Sequence, residues 1–527
     1  MKNGFRQSMA WLHTWTGLLL GWLLFAIFLT GSIAFFREEV GYWMTPELHV
    51  STPGPDTVAH ALARLETAAP GASSWTIALP DARNRTIELF WQMPDDQQRR
   101  RGPREVLDAG TGAVLTPRET RGGDFLYRFH FELYALPRGW ARWIVGAATM
   151  MMFVSILSGI VTHKKIFTDF FTLRLGKGQR SWLDAHAVVA VLALPFHIVM
   201  TYSGLLLLMA TLIPWNAGER RPPQPPQQRP AAERPALPAA LTDLTPLLAD
   251  AEARWGMPAG RIAIDRPGTD RMSVELAPQR NSSLIATGGG GGTGVERLRY
   301  DGVTGRLVRE VAGREVSGAQ AVYNAFSTMH RGRFAQPALR WLYFLSGIAG
   351  TVMVASGLVL WTVKRAKNQP ASFGRRLVLG LNIGGVAGLT AATAIYFWAN
   401  RLVPATLPGR IDWEIGAFFL AWSLLLLYPL VRPVRRAWVE QLTLGGMLFA
   451  GLPVLNALTS QSNLLKAVAS GDWMLAGFDL VAVATGIALC YAARRIALHQ
   501  PKEAPRSRRQ AEAGAETPVL ASQGAAE

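Results

Sequence analysis

Four of the nine histidines fall into a repeating pattern. His13 stands 18 residues before Gly31 and His186 stands 18 before Gly204, with Thr30 and Ser203 directly ahead of the glycines. His130 precedes Pro137 by seven residues, and His330 precedes Pro337 by seven. Arg142-Trp143 and Arg340-Trp341 follow, and Ser158-Gly159 and Ser356-Gly357 come 16 residues after each arginine. His163 and His197 stand beside this pattern. Imidazoles projecting from facing helices are the usual means by which a bundle holds iron porphyrin. Two neutral imidazoles filling both axial positions suit electron transfer and oppose oxygen binding. The plainer alternative is interfacial anchoring, each ring hydrogen-bonded to a nearby carbonyl. Zinc is disfavoured, because no Cys, Asp or Glu near these histidines completes a four-ligand set. His49, His60 and His499 lie outside the pattern and receive no role.

Positioning such rings requires helices that cross a bilayer, and the composition supplies them. Apolar residues make up 49 % of the 527 residues and Asp, Glu, Lys and Arg 17 %, against roughly 25 % charged in soluble domains. Uncharged apolar stretches occupy 11–36, 143–162, 185–215, 341–363, 377–400, 415–431 and 442–463, and an eighth at 474–493 carries one acid, Asp479. About 20 apolar residues cross a hydrocarbon layer of about 30 Å. The sequence therefore predicts an α-helical integral membrane protein with eight transmembrane helices. With their flanks, the first four take 1–36, 139–163, 185–215 and 338–363, and four more fill 377–493. The first stretch runs into Arg37-Glu38-Glu39 without a small-residue cleavage site, so it reads as an anchor. The net charge of +17 sits in short clusters beside apolar runs, a membrane pattern and not a nucleic-acid face. A single cysteine, Cys490, excludes a disulfide framework and any CxxC-type metal or covalent haem site.

Basic residues place the connections. Lys2 and Arg6, the 164–184 loop with Lys164, Lys165, Arg174 and Lys177, then Lys364 to Arg376, Arg432 to Arg436, and Arg494-Arg495 fall on alternate sides of successive spans. The expectation is a bacterial cytoplasmic (inner) membrane protein with both termini inside and a solvated, disordered tail over 494–527. Connections 37–138 and 216–337 then lie outside, in the periplasm. Each shows a helical pattern followed by strand-like pieces, and Asp-x-x-Thr-Gly turns recur at 108 and 301. The second opens with a proline-rich spacer. Gly288 to Gly292 lacks a following phosphate-binding helix and is no nucleotide fingerprint. No inner loop is large enough for a nicotinamide or flavin domain.

The shared spacings indicate a duplicated unit of helix, outside domain and helix, expected to pack about a pseudo-two-fold axis along the membrane normal. His13 and His186 become equivalent at the inner end, His130 and His330 at the outer rim. His197 lies 11 residues after His186, which on one continuous helix puts both on one face about 16 Å apart, a spacing for two stacked haems. His163 ends the second span and reads equally as part of its basic edge. Asp184 reads as an N-cap. Trp11, Trp15, Trp22, Phe25 and Phe28 crowd the first span as pocket lining or interfacial belt. Arg99, Arg100, Arg101 and Arg104 form an outside basic loop, read as a solvated tip.

Trp11-Leu12-His13-Thr14-Trp15, Thr162-His163-Lys164-Lys165, Leu183-Asp184-Ala185-His186, Leu194-Pro195-Phe196-His197 and Met329-His330-Arg331-Gly332 carry a resemblance to the PepSY-associated transmembrane proteins, also labelled iron-regulated membrane proteins. It covers about residues 1 to 365; the last four spans depart from it. The resemblance implies two small α+β PepSY-like domains and two haem b groups bound by His13, His130, His163, His186, His197 and His330, all but His163 as ligands to iron, with His163 and His197 belonging to a longer motif variant. It further implies a transmembrane reductase of ferric siderophores, releasing iron as Fe(II). Electrons would come from quinol or a separate cytoplasmic reductase, and would pass from an inner haem near His13 and His186 to an outer one near His130, His197 and His330. The alternatives are a siderophore or haem permease without redox chemistry, or a PepSY-based peptidase-inhibitory or scaffold protein. The sequence does not fix which histidines share an iron.

Overall fold

Helices that face protein on one side and lipid on the other are apolar around their whole circumference, and the membrane-length helices here follow that rule. The computed structural model describes residues 4–94, 102–163, 168, 174, 178–213, 235–279, 296–311, 317–365 and 372–499. Residues 99–101, 164, 165, 177, 288–292, most of the proline-rich spacer and the tail beyond 499 lie outside these. Among the described residues, seven helices are long and apolar enough to cross a membrane. Three belong to the duplicated region: α1 (Phe5–Ala34), α5 (Arg138–Thr162) and α10 (Pro337–Arg365). The other four are α11 (Phe373–Leu402), α12 (Arg410–Leu430), α13 (Val434–Thr459) and α15 (Trp473–Leu498). The short α14 (Leu464–Ala469) precedes the last.

The third expected span is broken. It comprises α6 (Gln179–Leu192) and α7 (Leu194–Leu212), bent by 68°, and counting the pair as one span brings the total to eight. Pro195 sits in the first turn of α7, where it needs no hydrogen-bond partner for its nitrogen but cannot extend the helix before it. His186 and His197 therefore lie on different helices, which corrects the expectation of one shared face. Asp184 is corrected too. It is internal to α6 and buried, and its carboxylate receives Arg174 Nε at 2.8 Å and Nη2 at 2.9 Å, so it fixes the incoming loop and does not cap.

Outside the spans lie α2 (Arg37–Met44), α3 (Thr57–Ala68), α4 (Gly123–Glu132), α8 (Thr245–Trp255) and α9 (Gly318–Arg331). The strands are β1 (Ser74–Ala78), β2 (Thr86–Gln92), β3 (Arg104–Asp108), β4 (Val114–Leu115), β5 (Ala259–Asp265), β6 (Ser273–Pro278), β7 (Arg297–Asp301) and β8 (Leu307–Val311). Two small sheets are expected, one per long connection. The structure has one antiparallel sheet in the order β4-β3-β2-β1-β5-β6-β7-β8. At its seam Thr76 lies opposite Ala263, flanked by Trp75–Ile264 and Ile77–Ile262, so a pseudo-two-fold axis passes through the middle of the seam. Alternate residues point one way; Ile77, Leu89, Ile262 and Leu276 are fully buried, in one core with Leu65 of α3 and Leu247 of α8.

The last four spans grip the first repeat. Trp43 of α2 is wholly buried, stacks on Phe478 at 4.5 Å between ring centres and donates Nε1–H to Asp479 at 2.8 Å. Phe125 of α4 meets Phe418 at 5.1 Å. Trp22 of α1 donates to Asn382 at 2.9 Å, beside a π-helical turn over Ile383–Gly388.

Candidate functional site

His13 on α1 and His186 on α6 face one another, ring centres 6.3 Å apart. Each Nδ1 is tied to a backbone carbonyl of a neighbouring span: His13 to Ser155 at 2.9 Å, His186 to Met353 at 2.9 Å with Ser356 Oγ at 3.2 Å. Glycine makes room for both rings. A Cβ on Gly159 would lie 3.2 Å from the His13 ring, and one on Gly357 would lie 3.2 Å from that of His186.

His130 and His330 form a second pair, ring centres 6.1 Å apart, presented by α4 and α9. His130 Nδ1 bonds the Ile27 carbonyl at 2.8 Å. His330 Nδ1 bonds Ser203 Oγ at 2.9 Å and the backbone of Met200. Gly31 and Gly204 lie under these rings; a Cβ on Gly31 would come within 2.6 Å of His130. Burial pushes both imidazoles below their usual pKa, and the facing His130 helps bring His330 to about 3, so the rings are neutral.

The anchoring carbonyls obey the repeat. Ser155 lies three before Ser158 and Met353 three before Ser356; Ile27 lies four before Gly31 and Met200 four before Gly204. A carbonyl only accepts hydrogen bonds, so each Nδ1 carries the proton and each Nε2 is a bare lone pair. A second hydrogen bond of this kind is what orients a metal-binding histidine. The separation fits as well. Two metal–nitrogen bonds of about 2.0 Å, plus about 1.1 Å from each nitrogen to its ring centre, put the centres of two imidazoles sharing one metal about 6.2 Å apart. Among the described residues no three His, Cys, Asp or Glu side chains gather as a metal-ion site. Each pair has the ring separation of two imidazoles on one metal. His13 and Ile27, the carbonyl under His130, are 14 residues or about 21 Å apart along α1.

His197 joins neither pair. It is buried, edge-on to Phe28 at 5.6 Å between ring centres and beside Phe196, with its Nε2 unpartnered. It is not among the residues lining the cavity at the outer pair, which departs from its expected place beside His130 and His330. His163 is the residue that ends α5, its N–H donating to the Gly159 carbonyl at 3.1 Å. The carbonyl anchors, the Arg174–Asp184 pair and the Trp43–Asp479 contact were not read from the sequence; the repeated glycines were the signal that pointed to ring-packing sites.

Seven membrane-length helices among the described residues, a duplicated histidine-bearing region and one antiparallel sheet define a multi-pass helical membrane protein. Residues 10–364 match the family described as the PepSY-associated TM region, and the chain belongs to that family. It is similar to an uncharacterized protein, PA4219, of Pseudomonas aeruginosa, with 28 % identity over 332 residues, 59 % of this chain and 80 % of the relative.

Proposed function

We propose that the chain is a haem b electron carrier of the inner membrane, a transmembrane ferric-siderophore reductase with both termini cytoplasmic and its sheet in the periplasm. The observation that carries this reading is the match between the two facing pairs, at 6.3 and 6.1 Å, and the spacing two imidazoles take around one metal. When bound, haem b supplies reversible one-electron Fe(III)/Fe(II) chemistry. His13 and His186 would hold the inner haem, and His130 and His330 the outer one. The carbonyls of Ser155, Met353, Ile27 and Met200 hold the proton on Nδ1 and fix the tilt of the rings. Phe28 and the apolar spans exclude water between the pairs. His197 and His163 are assigned no iron. The donor is quinol or a separate cytoplasmic reductase; each electron delivered outside converts one chelated Fe(III) to Fe(II), which the siderophore holds weakly and releases.

A permease reading draws on the break between α6 and α7. Transporters, however, place interrupted helices at corresponding positions in both halves, and α1, the counterpart, is continuous over 30 residues. The test is reconstitution in liposomes with a reductant on the inner side, a ferric siderophore outside and a chromogenic Fe(II) trap. Fe(II) appearing outside at a rate that depends on His13 and His330 supports the reading. Uptake of intact ferric siderophore, with no Fe(II) formed, overturns it.

A further inference from the structure

A cavity of 530 Å³ opens against the His130–His330 pair, and six arginines line it, Arg37, Arg83, Arg142, Arg331, Arg333 and Arg340. One carboxylate, Glu38, is there to meet them. Four of the cations are answered by acids around the wall. Arg83 holds Glu38 at 2.8 Å and Glu39 at 2.6 Å, and Arg340 shares Glu39 at 3.3 Å. Arg142 holds Glu132 at 2.7 Å and Arg37 meets Asp124 at 3.2 Å. Among the described residues, Arg331 and Arg333 have no carboxylate within ion-pair distance.

The backbone puts these two charges where they are. α9 ends at Gly332, left-handed at φ 59°, where a Cβ would also stand 3.2 Å from Phe35. This turn joins three residues that line the cavity, His330, Arg331 and Arg333. In the first repeat the corresponding positions after His130 are Phe131 and Leu133, so the pair of cations belongs to the second repeat alone. Arg331 is half-buried and Arg333 exposed, so both cations are open to an incoming anion, and guanidinium takes a carboxylate in a two-pronged, charge-assisted fork.

We propose that this cavity is a carboxylate site, in which Arg331 and Arg333 bind the paired carboxylates of the molecule seated against the outer histidines. The proposal rests on the electron-transfer reading for the identity of that molecule but not for its chemistry. Two sources supply it: the propionate groups of the outer porphyrin, or a carboxylate-bearing ferric chelate.

The experiment compares full-length wild type with Arg331→Gln/Arg333→Gln and, as a folding control, Arg331→Lys/Arg333→Lys. Haem retention is read against an apo-globin acceptor, the reduction potential by titration, and chelate binding by calorimetry with ferric citrate and with a ferric trihydroxamate that has no free carboxylate. If the propionates are the anions, the Gln pair loses its outer haem about ten-fold faster and at a lower potential, the Lys pair recovers most of the difference, and haem dimethyl ester is held equally by all three. If the chelate is the anion, haem retention is unchanged while ferric citrate binds the Gln pair about ten-fold more weakly and the trihydroxamate binds all alike. Unchanged haem retention together with unchanged ferric citrate binding overturns the proposal. A colourless wild type whose ferric citrate binding still falls in the Gln pair would keep the carboxylate site and sink the electron-transfer reading.

Discussion

Gly31 is held by contact and not by backbone conformation: a methyl group there would sit 2.6 Å from the His130 ring, whereas nothing lies within 4 Å of a methyl on Gly17 in the same helix. Alanine favours a helix by about 1 kcal/mol over glycine, so any loss in Gly31→Ala comes from the displaced ring. Gly31→Ala is expected to lose roughly half the bound haem, one of two groups, and Gly17→Ala none, measured by pyridine haemochrome. A second residue reports on pH. Burial brings His49 to about 4, with Arg401 adding in the same direction against its hydrogen bond to the Tyr42 carbonyl. Its unfolded value near 6.5 is higher, so the unfolded chain takes the proton first. Stability is full above pH 6.5, falls as pH drops toward 4 and levels off below, by about 3 kcal/mol in all. His49→Gln should flatten that limb in thermal melts across the range. The histidine pairs were legible in the sequence because duplication doubles the signal: one histidine 18 residues before a glycine means little, and two such spacings mean a site. The carbonyls that orient them were not, since every residue has one and only the helix crossings choose among them.

At the level of elements, the first, second and fourth spans follow from apolar length alone. The third did not, because hydropathy does not register a bend: Leu194 and Pro195 continue an apolar run while Pro195 divides it at 68°. The break separates His197 from His186 and leaves it against Phe28. The last four helices, whose role the sequence left open, dock through α2. Asp479 is wholly buried and accepts from Trp43 at 2.8 Å and from Asn456 at 3.1 Å. Asp479→Ala strands both donors, and a cost of about 2–3 kcal/mol is expected, read as a lower melting temperature in detergent. Haem content should be unchanged, because neither histidine pair draws a ligand from these helices. Loss of haem in that variant would give the last four spans a direct part in the site.

Over the whole molecule the duplication governs both the membrane core and the sheet. It predicted equivalent histidines, and the structure adds that the two outside connections close into one sheet across β1 and β5. Strand pairing between segments nearly 190 residues apart leaves no local trace in a sequence, which is why two sheets were expected. Thr76 sits at the centre of that seam with neighbours on both sides. Thr76→Pro removes a ladder hydrogen bond and is poorly tolerated in a central strand. It should open the sheet to limited proteolysis while the inner pair, far from the seam, keeps its haem. The central claim is that each facing pair shares one iron. The most direct measurement is haem stoichiometry with low-spin electron paramagnetic resonance in the four single His→Ala variants. The account predicts two low-spin signals in wild type, one of them lost alike in His13→Ala and His186→Ala and the other lost alike in His130→Ala and His330→Ala. Colourless wild-type protein, or losses that do not group in these two pairs, would contradict it.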